Sequence, residues 1–190
     1  MIRIAVLGDI GSGKSFFAKQ LKIPVFNADQ VVSDLYKTDK QLFLKLRNAF
    51  PKQINSFPIN KINLMQIIKN NEKNFKKIIK IVHPLVREKM NIFLKKNNKQ
   101  KAVVLDIPLF LENKLNLSTD ILVFIDSKRS EIMKRLKKRN GFSLKIYNFL
   151  KKNQIAVDKK KQIADFIIKN NFNSRTIKTE AKNLLNKIII

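Results

Sequence analysis

The chain has 190 residues, which suits one domain with a substantial core, and it contains no cysteine, which excludes disulfide bonds. No apolar run approaches the ~20 residues of a membrane-spanning helix, and Met1-Ile2-Arg3 leads directly into a predicted strand without a signal-peptide pattern. The net charge of +26 comes mostly from lysines spread over nearly the whole chain, which argues against a dedicated nucleic-acid patch. We therefore expect a soluble, cytoplasmic protein.

The first predicted strand, residues 2–7, leads into a glycine-rich loop at residues 8–15, G-D-I-G-S-G-K-S. The loop fits the P-loop pattern G-x-x-x-x-G-K-[ST], and a predicted helix follows it. In such a loop, backbone N–H groups cradle phosphate oxygens, Lys14 reaches the β- and γ-phosphates, and the Ser15 hydroxyl completes a Mg²⁺ shell. A chance match in a turn is the alternative, but three of the chain's four glycines lie here. The loop therefore predicts a nucleotide site.

The next candidate residue is Asp29, the last residue of a short strand predicted at residues 25–29. Ligands of open α/β sheets bind outside the carboxyl ends of strands, so Asp29 is expected near the phosphates. A helix N-cap is the other ordinary role for Asp at a strand-to-helix junction. Position alone leaves the two interpretations equal. Two helices are predicted next, over residues 31–36 and 41–50.

The middle of the chain is predicted to be helical. Asn60 suits a helix cap, and apolar residues between Phe75 and Val86 recur at helical spacing. His83-Pro84 is expected to interrupt that helix, because proline cannot donate to the helix ladder. His83 is the only histidine, so a histidine metal cluster is excluded, and we expect a packed or surface side chain. Residues 95–101 are predicted to form a solvated loop.

Three further strands are predicted in the second half of the chain, over residues 102–106, 121–126 and 164–168. The first ends in Asp106, and an apolar strand ending in Asp after a P-loop often supplies the acid that orients Mg²⁺. This signal is weak by itself, because many strands end in Asp. Strands that alternate with helices predict a parallel α/β sheet rather than an all-helical nucleic-acid module.

Residues 135–161 form a strongly basic segment in which predicted helices flank Gly141. One interpretation is a solvated helical pair. The other is a mobile lid that closes cationic groups over a transferring phosphate and excludes water. We favour the lid, because a kinase with an open site would hydrolyse its nucleotide.

Five ordered blocks, spread over nearly the whole chain, resemble the dephospho-coenzyme A kinase family. They are the P-loop, Asn27-Ala28-Asp29, His83-Pro84-Leu85-Val86-Arg87, residues 106–112, and the lid and beyond through Arg139-Asn140-Gly141, Gln154, Lys160, Ala164-Asp165 and Asn170. The chain departs from the family pattern at three positions. Asp9 replaces the second glycine of the P-loop and Asn27 replaces an acid. Leu150 lies where the family usually has a lid arginine, with Lys151 and Lys152 adjacent.

The resemblance implies a three-layer α/β fold of the P-loop kinase type, with a single domain over residues 1–190. Within it, a helical acceptor subdomain is expected at about residues 60–96 and a lid at about residues 139–161. The implied reaction is ATP- and Mg²⁺-dependent phosphorylation of the ribose 3′-hydroxyl of dephospho-coenzyme A. The partners are then ATP and dephospho-coenzyme A, without dedicated nucleic acid or membrane contact, in a monomer or small homo-oligomer.

The resemblance also implies roles for individual residues. Asp29 would orient or deprotonate the attacking hydroxyl, Lys14 would neutralise charge on the transferred group, and Arg139 would close from the lid. The ATP-binding residues would be Gly11, Ser12, Gly13, Lys14, Ser15 as the Mg²⁺ ligand, and the Phe16 amide; the substrate-binding residues would be His83, Arg87 and Asp106. Another small-molecule P-loop kinase, such as a nucleoside monophosphate kinase, is the nearer alternative. A basic ATP-dependent nucleic-acid-binding protein is the farther one.

Overall fold

The computed structural model describes residues 1–139 and 141–189, which form two compact units. The first unit runs from Met1 to Asn27 and from Asn97 onwards, and the second is Ala28–Lys96. The strands are β1 (Ile2–Gly8), β2 (Val25–Asn27), β3 (Ala102–Asp106), β4 (Ile121–Asp126) and β5 (Phe166–Lys169). The helices are α1 (Lys14–Gln20), α2 (Ala28–Thr38), α3 (Lys40–Ala49), α4 (Lys61–Asn70), α5 (Glu72–Lys96), α6 (Arg129–Lys137), α7 (Leu144–Lys152), α8 (Val157–Gln162) and α9 (Ser174–Ile188).

The strands of the first unit form one parallel sheet in the order β2-β3-β1-β4-β5, which confirms the predicted α/β class. The strand β1 lies in the middle, between β3 and β4. The chain leaves β1 for β2 and β3 on one side, and then crosses to β4 and β5 on the other. Ligands of open parallel sheets bind at the carboxyl ends of strands beside such a switch. The fold therefore places the loop after β1 at the expected binding edge.

One face of the sheet packs against α1 and α9. Alternate residues of the central strands, such as Ile4 and Val6 in β1, are buried together with Phe17 of α1 and Ile177 of α9. The alternation follows from the two-residue period of a strand. Complete burial of a side chain of the size of Phe17 stabilises the fold by roughly 1.5–3 kcal/mol. This packing fixes α1, and with it the loop that precedes α1.

The second unit is a bundle of α2, α3, α4 and α5 around its own apolar core. Two of its helices have side-chain N-caps, of which the sequence predicts the one at Asn60. The carboxylate of Asp39 accepts from the Leu42 N–H at 2.8 Å, and the Asn60 side chain accepts from the Ile62 N–H at 2.8 Å. Among the described residues, no helix combines the length and the apolar character that crossing a membrane requires.

Three predicted boundaries differ from the structure. The helix α5 continues through Pro84, because apolar residues on both sides of the proline, Val82 before it and Val86 after it, pack in one core. Lys96 ends α5 instead of lying in a loop, and a lysine in the last turn is favourable beside the negative end of the helix dipole. The strand β2 ends at Asn27, so Asp29 lies in the first turn of α2 rather than at a strand end or at an N-cap.

Candidate active site

The loop between β1 and α1 has a backbone that only glycine tolerates at its ends. Gly8 has φ +147°, and a Cβ there would lie 2.6 Å from Ser12 Oγ and 2.9 Å from the Ile125 carbonyl oxygen. Gly13 precedes α1 in the left-handed region, at φ +94°, where an added Cβ would collide with the side-chain amide of Asn170. A side chain at either position would therefore displace the loop. The glycines serve the tight turn that a P-loop needs.

The Lys14 side chain folds back over the loop that precedes it. Its Nζ donates to the carbonyl oxygens of Gly8 at 3.2 Å and of Asp9 at 2.8 Å. The ammonium group therefore lies at the loop, where it can pair with phosphate oxygens. Ser15 follows at the start of α1 with an exposed side chain.

Polar side chains that directly follow β4 and β5 donate hydrogen bonds to the loop. The carbonyl oxygen of the fully buried Ser12 accepts from Ser127 Oγ at 2.9 Å and from Asn170 Nδ2 at 2.8 Å. Asn170 is itself fixed, because its N–H donates to the Asp126 carbonyl at 2.7 Å and its Oδ1 accepts from the Phe172 N–H at 2.7 Å. No sequence motif marks Ser127, whereas Asn170 is part of the family resemblance without an assigned role.

The acid at the end of β3 has a specific partner. Asp106 is buried, and its Oδ2 accepts a 2.6 Å hydrogen bond from Asn27 Nδ2. The two residues are register partners at the carboxyl ends of β2 and β3. Because β3 also pairs with β1, Asp106 lies one strand away from the strand that enters the P-loop.

The oxygen ligands at the carboxyl edge of the sheet fit Mg²⁺ that is bound together with a nucleotide. Among the described residues, no group of three or more His, Cys, Asp or Glu side chains is arranged to bind a metal ion by itself. Mg²⁺ prefers oxygen ligands, and it is usually bound through one or two protein oxygens plus substrate phosphates and water. The Ser15 hydroxyl and the Asp106 carboxylate are oxygen donors of that kind at the ends of α1 and β3.

A lysine of α7 contacts the P-loop directly. Lys151 of α7 pairs with Asp9, with 2.6 Å between Nζ and Oδ2, while Asp9 Oδ1 accepts from the Ile10 N–H at 2.8 Å. Burial lowers the pKa of Lys151, but the Asp9 carboxylate and Tyr147 raise it further, and the net pKa lies above its ordinary value. The lysine is therefore charged. Tyr147 belongs to an apolar cluster with Ile132, and Ile10 of the loop packs against that cluster.

A second ion pair anchors the segment that follows α7. Lys160 of α8 is buried and its Nζ lies 2.7 Å from Glu112 Oε1, which also accepts from the Ile155 N–H at 2.8 Å. Burial of a charge is costly unless it is paired, so this contact fixes α8 to the loop after β3. Sequence reasoning placed Glu112 and Lys160 in family blocks but did not pair them, because 48 positions separate 112 from 160.

The remaining predicted site residues lie elsewhere. In the second unit, Asp29 is exposed in the first turn of α2, and His83 and Arg87 lie one turn apart on α5. Burial, and then the positive charge of Arg87, lower the pKa of His83. In the first unit, Arg139 is exposed just after α6, and Asn140 lies outside the described residues. The structure thus brings the P-loop residues and Asp106 to one edge of the first unit, and His83 and Arg87 to one helix of the second.

The family model and the curated relatives that match this sequence carry the same description. The sequence model of the dephospho-CoA kinase family matches residues 2–176. The dephospho-CoA kinase of Bartonella henselae is 36% identical over 170 aligned residues, covering 87% of each protein, and that of Wolbachia pipientis wMel is 30% identical over 190, covering 97% of each.

Solved structures share the fold. TT1252 from Thermus thermophilus aligns with a TM-score of 0.75 at 21% identity, covering 98% of this chain and 97% of that one. The dephospho-CoA kinase from Campylobacter jejuni aligns with a TM-score of 0.68 at 23% identity, with the same coverage. These two alignments show that the chain shares the fold of those proteins over nearly its whole length.

Proposed function

The chain belongs to the dephospho-CoA kinase family, and from that premise we propose that it transfers the γ-phosphoryl group of ATP to the ribose 3′-hydroxyl of dephospho-coenzyme A. It is an ATP-dependent kinase. The observation that carries the proposal is the family match from residue 2 to residue 176, which includes the P-loop, the Asn27–Asp106 contact and the lid helices. The products are coenzyme A and ADP.

The P-loop residues bind the donor in this proposal. Backbone N–H groups of Gly11, Ser12, Gly13 and Phe16 donate to phosphate oxygens, and the Lys14 ammonium neutralises the charge that develops on the transferring group. Its contacts with the Gly8 and Asp9 carbonyls support this role, because they place the charge at the loop before the reaction begins. Mg²⁺ would supply further neutralisation of the phosphate oxygens when bound; the Ser15 hydroxyl would hold it, and the Asp106 carboxylate would orient it.

Asp29 acts on the acceptor in this proposal. Its carboxylate accepts the proton of the 3′-hydroxyl or orients that hydroxyl towards the γ-phosphorus. Two observations support the role: the family resemblance at this position, and the exposed side chain two residues after the end of β2. The transfer itself depends mostly on positioning and electrostatics, so one acid is chemically sufficient.

Three further residues have proposed roles. Arg87, a permanent cation, would pair with the anionic groups of the acceptor, and His83 would contact it as a neutral imidazole, in keeping with its lowered pKa. Arg139 would close with the lid and exclude water from the phosphates. The bounds of the acceptor subdomain and lid, the cytoplasmic location and the oligomeric state stay predictions.

An acceptor screen tests the proposal. The protein is incubated with ATP and Mg²⁺ and with dephospho-coenzyme A, nucleoside monophosphates, or coenzyme A, and products are identified by mass spectrometry. Coenzyme A is the matched control, since its 3′-hydroxyl is already phosphorylated. We expect phosphorylation of dephospho-coenzyme A alone. Phosphorylation of a nucleoside monophosphate in preference to dephospho-coenzyme A would contradict the proposal.

A further inference from the structure

Asp9 of the P-loop contacts the helix α7 directly, and its neighbour Ile10 packs against an apolar cluster to which α7 contributes Tyr147. The Asp9 carboxylate pairs with the Lys151 ammonium at 2.6 Å, and Ile10 packs in the same apolar cluster as Tyr147, one helical turn before Lys151. One contact is ionic and the other apolar, and both connect α7 to the loop that would cradle phosphates. The position of Lys151 is therefore fixed relative to the P-loop itself.

Asp9 is an unusual residue for this place. A carboxylate beside a phosphate site repels the ligand, and the repulsion is strong because only 8% of the Asp9 surface is exposed. The same residue contacts two ammonium groups: its carbonyl accepts from Lys14 at 2.8 Å and its carboxylate from Lys151 at 2.6 Å. The two cations thus converge on one residue of the loop.

Lys151 has hydrogen-bonding capacity beyond this pair. An ammonium group carries three N–H donors. The Asp9 carboxylate takes one, and the Tyr147 hydroxyl, at 3.5 Å, takes a second at the limit of hydrogen bonding. A third of the side-chain surface is exposed, so a ligand oxygen can reach the ammonium. The neighbouring residue Leu150 is apolar and offers no charge of its own.

We propose that Lys151 is a phosphate-binding cation of the ATP site and that Asp9 is the residue that positions it. This inference rests on the proposed function for the identity of the nucleotide reaction, and it assigns the charge that α7 contributes. Asp9 and Leu150 both depart from the family pattern, and the structure connects the two departures: Asp9 fixes the lysine that lies next to Leu150. The negative charge of Asp9 is neutralised in the same contact.

A double-mutant cycle on Asp9 and Lys151 distinguishes binding from simple neutralisation. The variants are Lys151→Met, which keeps the length of the stem, Asp9→Asn, and the double variant. The dissociation constant for MgATP is measured by calorimetry without acceptor, and kcat and KM are measured with dephospho-coenzyme A. If Lys151 binds phosphate, Lys151→Met weakens ATP binding about tenfold in the wild-type background, the usual range for a hydrogen bond to a charged group.

The affinity measured in the Asp9→Asn background shows whether Lys151 binds phosphate or only neutralises Asp9. We expect Lys151→Met to weaken ATP binding by a similar factor when Asp9→Asn is already present, and Lys151→Arg to retain most of the affinity. If Lys151 only neutralises Asp9, Lys151→Met has no effect in the Asp9→Asn background, and the proposal is overturned. Lys152→Met is the matched control, since it removes the same charge from an exposed neighbour and should leave the affinity unchanged.

The readouts separate this inference from the proposed function. A wild-type protein that binds ATP but does not phosphorylate dephospho-coenzyme A would contradict the proposed acceptor, and the affinity cycle would still decide the role of Lys151. A wild-type protein without ATP affinity would overturn both. Melting temperatures of the variants check that α7 remains folded, which we expect because the apolar contact of Ile10 with the Tyr147 cluster is unchanged.

Discussion

The side-chain amide of Asn27 donates a 2.6 Å hydrogen bond to Oδ2 of Asp106, at the point where β2 and β3 end side by side. Asp106 is buried, and a buried carboxylate is tolerated only when it is paired or hydrogen-bonded. The Asn27 amide supplies this hydrogen bond without placing a second charge beside Asp106. The family resemblance places an acid at position 27, so this chain has replaced a pair of acids with a donor and an acceptor.

Asn27→Asp should therefore destabilise the protein at neutral pH. The substitution removes a hydrogen bond to a charged group and brings two carboxylates into contact, for a loss of about 2 kcal/mol in the free energy of unfolding. Protonation of one carboxylate relieves the repulsion, so the loss should shrink in acid. Denaturant unfolding at two pH values measures it. Asn173→Asp is the control, because it adds the same charge at the N-cap of α9, where Asp and Asn cap about equally well.

Lys14→Ala should cut the rate of phosphoryl transfer by roughly 100-fold, because it removes a charge-assisted contact that is strongest in the transition state. Steady-state kinetics with ATP and dephospho-coenzyme A measure the loss. Lys19→Ala removes the same charge from an exposed position of the same helix and should change the rate little. Turnover of the Lys14 variant within a few-fold of wild type would exclude Lys14 as the phosphate lysine.

Arg139→Ala should slow transfer and raise ATP hydrolysis relative to transfer, because the lid closes less completely and water reaches the phosphates. The ratio of ADP to coenzyme A formed measures the leak. Arg129→Ala changes the same residue type on an exposed position at the other end of α6 and should leave the ratio unchanged. Equal effects of both variants would indicate a diffuse positive field and contradict the lid assignment.

The sequence predicts the parts of the site that depend on residues close together in the chain. The P-loop follows from glycine and lysine spacing within eight residues, and the parallel sheet follows from apolar strands that alternate with helices. The contact of Lys151 with Asp9 spans 142 positions, and nothing local marks either residue as a partner of the other. Such a pair depends on how α7 packs against the loop, so only the folded chain shows it.

Local rules also failed where tertiary packing is stronger. His83-Pro84 predicts a helix break, yet α5 continues because apolar residues before and after the proline, including Val82 and Val86, pack in one core. The loss of one hydrogen bond at Pro84 is smaller than the gain from that burial. Asp29 likewise lies in α2 and not in a strand, since β2 ends at Asn27 and the helix starts at Ala28.

The free energy of unfolding should fall as the pH drops below about 6.5, and His83 should cause part of that fall. Burial and the charge of Arg87 lower the folded-state pKa of His83 below its ordinary value of 6.5, so the folded chain binds fewer protons than the unfolded chain in this range. The contribution of His83 to stability is therefore complete above pH 6.5 and is lost as the pH falls towards the folded pKa.

Denaturant unfolding between about pH 7.5 and 5.5 tests this, a window in which histidine titrates and most carboxylates do not. His83→Gln should flatten the pH dependence, and the result is simple to interpret because the chain has no other histidine. An unchanged slope in the variant would show that the imidazole is equally protonated in the folded and unfolded chains.

Asp29 carries the most consequential prediction, because the same residue suits helix stabilisation and catalysis. Asp29→Asn keeps the size of the side chain and removes both the negative charge and the proton acceptor. In the first turn of α2, loss of the charge costs at most about 1 kcal/mol of stability through the helix dipole. If Asp29 accepts the proton of the 3′-hydroxyl, kcat should fall by roughly 10²–10⁴-fold while the affinity for ATP stays nearly intact.

The control for Asp29 lies on the same helix. Asp34 is exposed in α2 and accepts from the Gln30 side chain, so Asp34→Asn makes the same chemical change away from the proposed site. It should leave kcat unchanged. Normal turnover of the Asp29 variant, with both proteins folded, would assign Asp29 to helix stabilisation. Asp106 would then be the better candidate, since its carboxylate lies at the carboxyl end of β3, beside the strand that enters the P-loop.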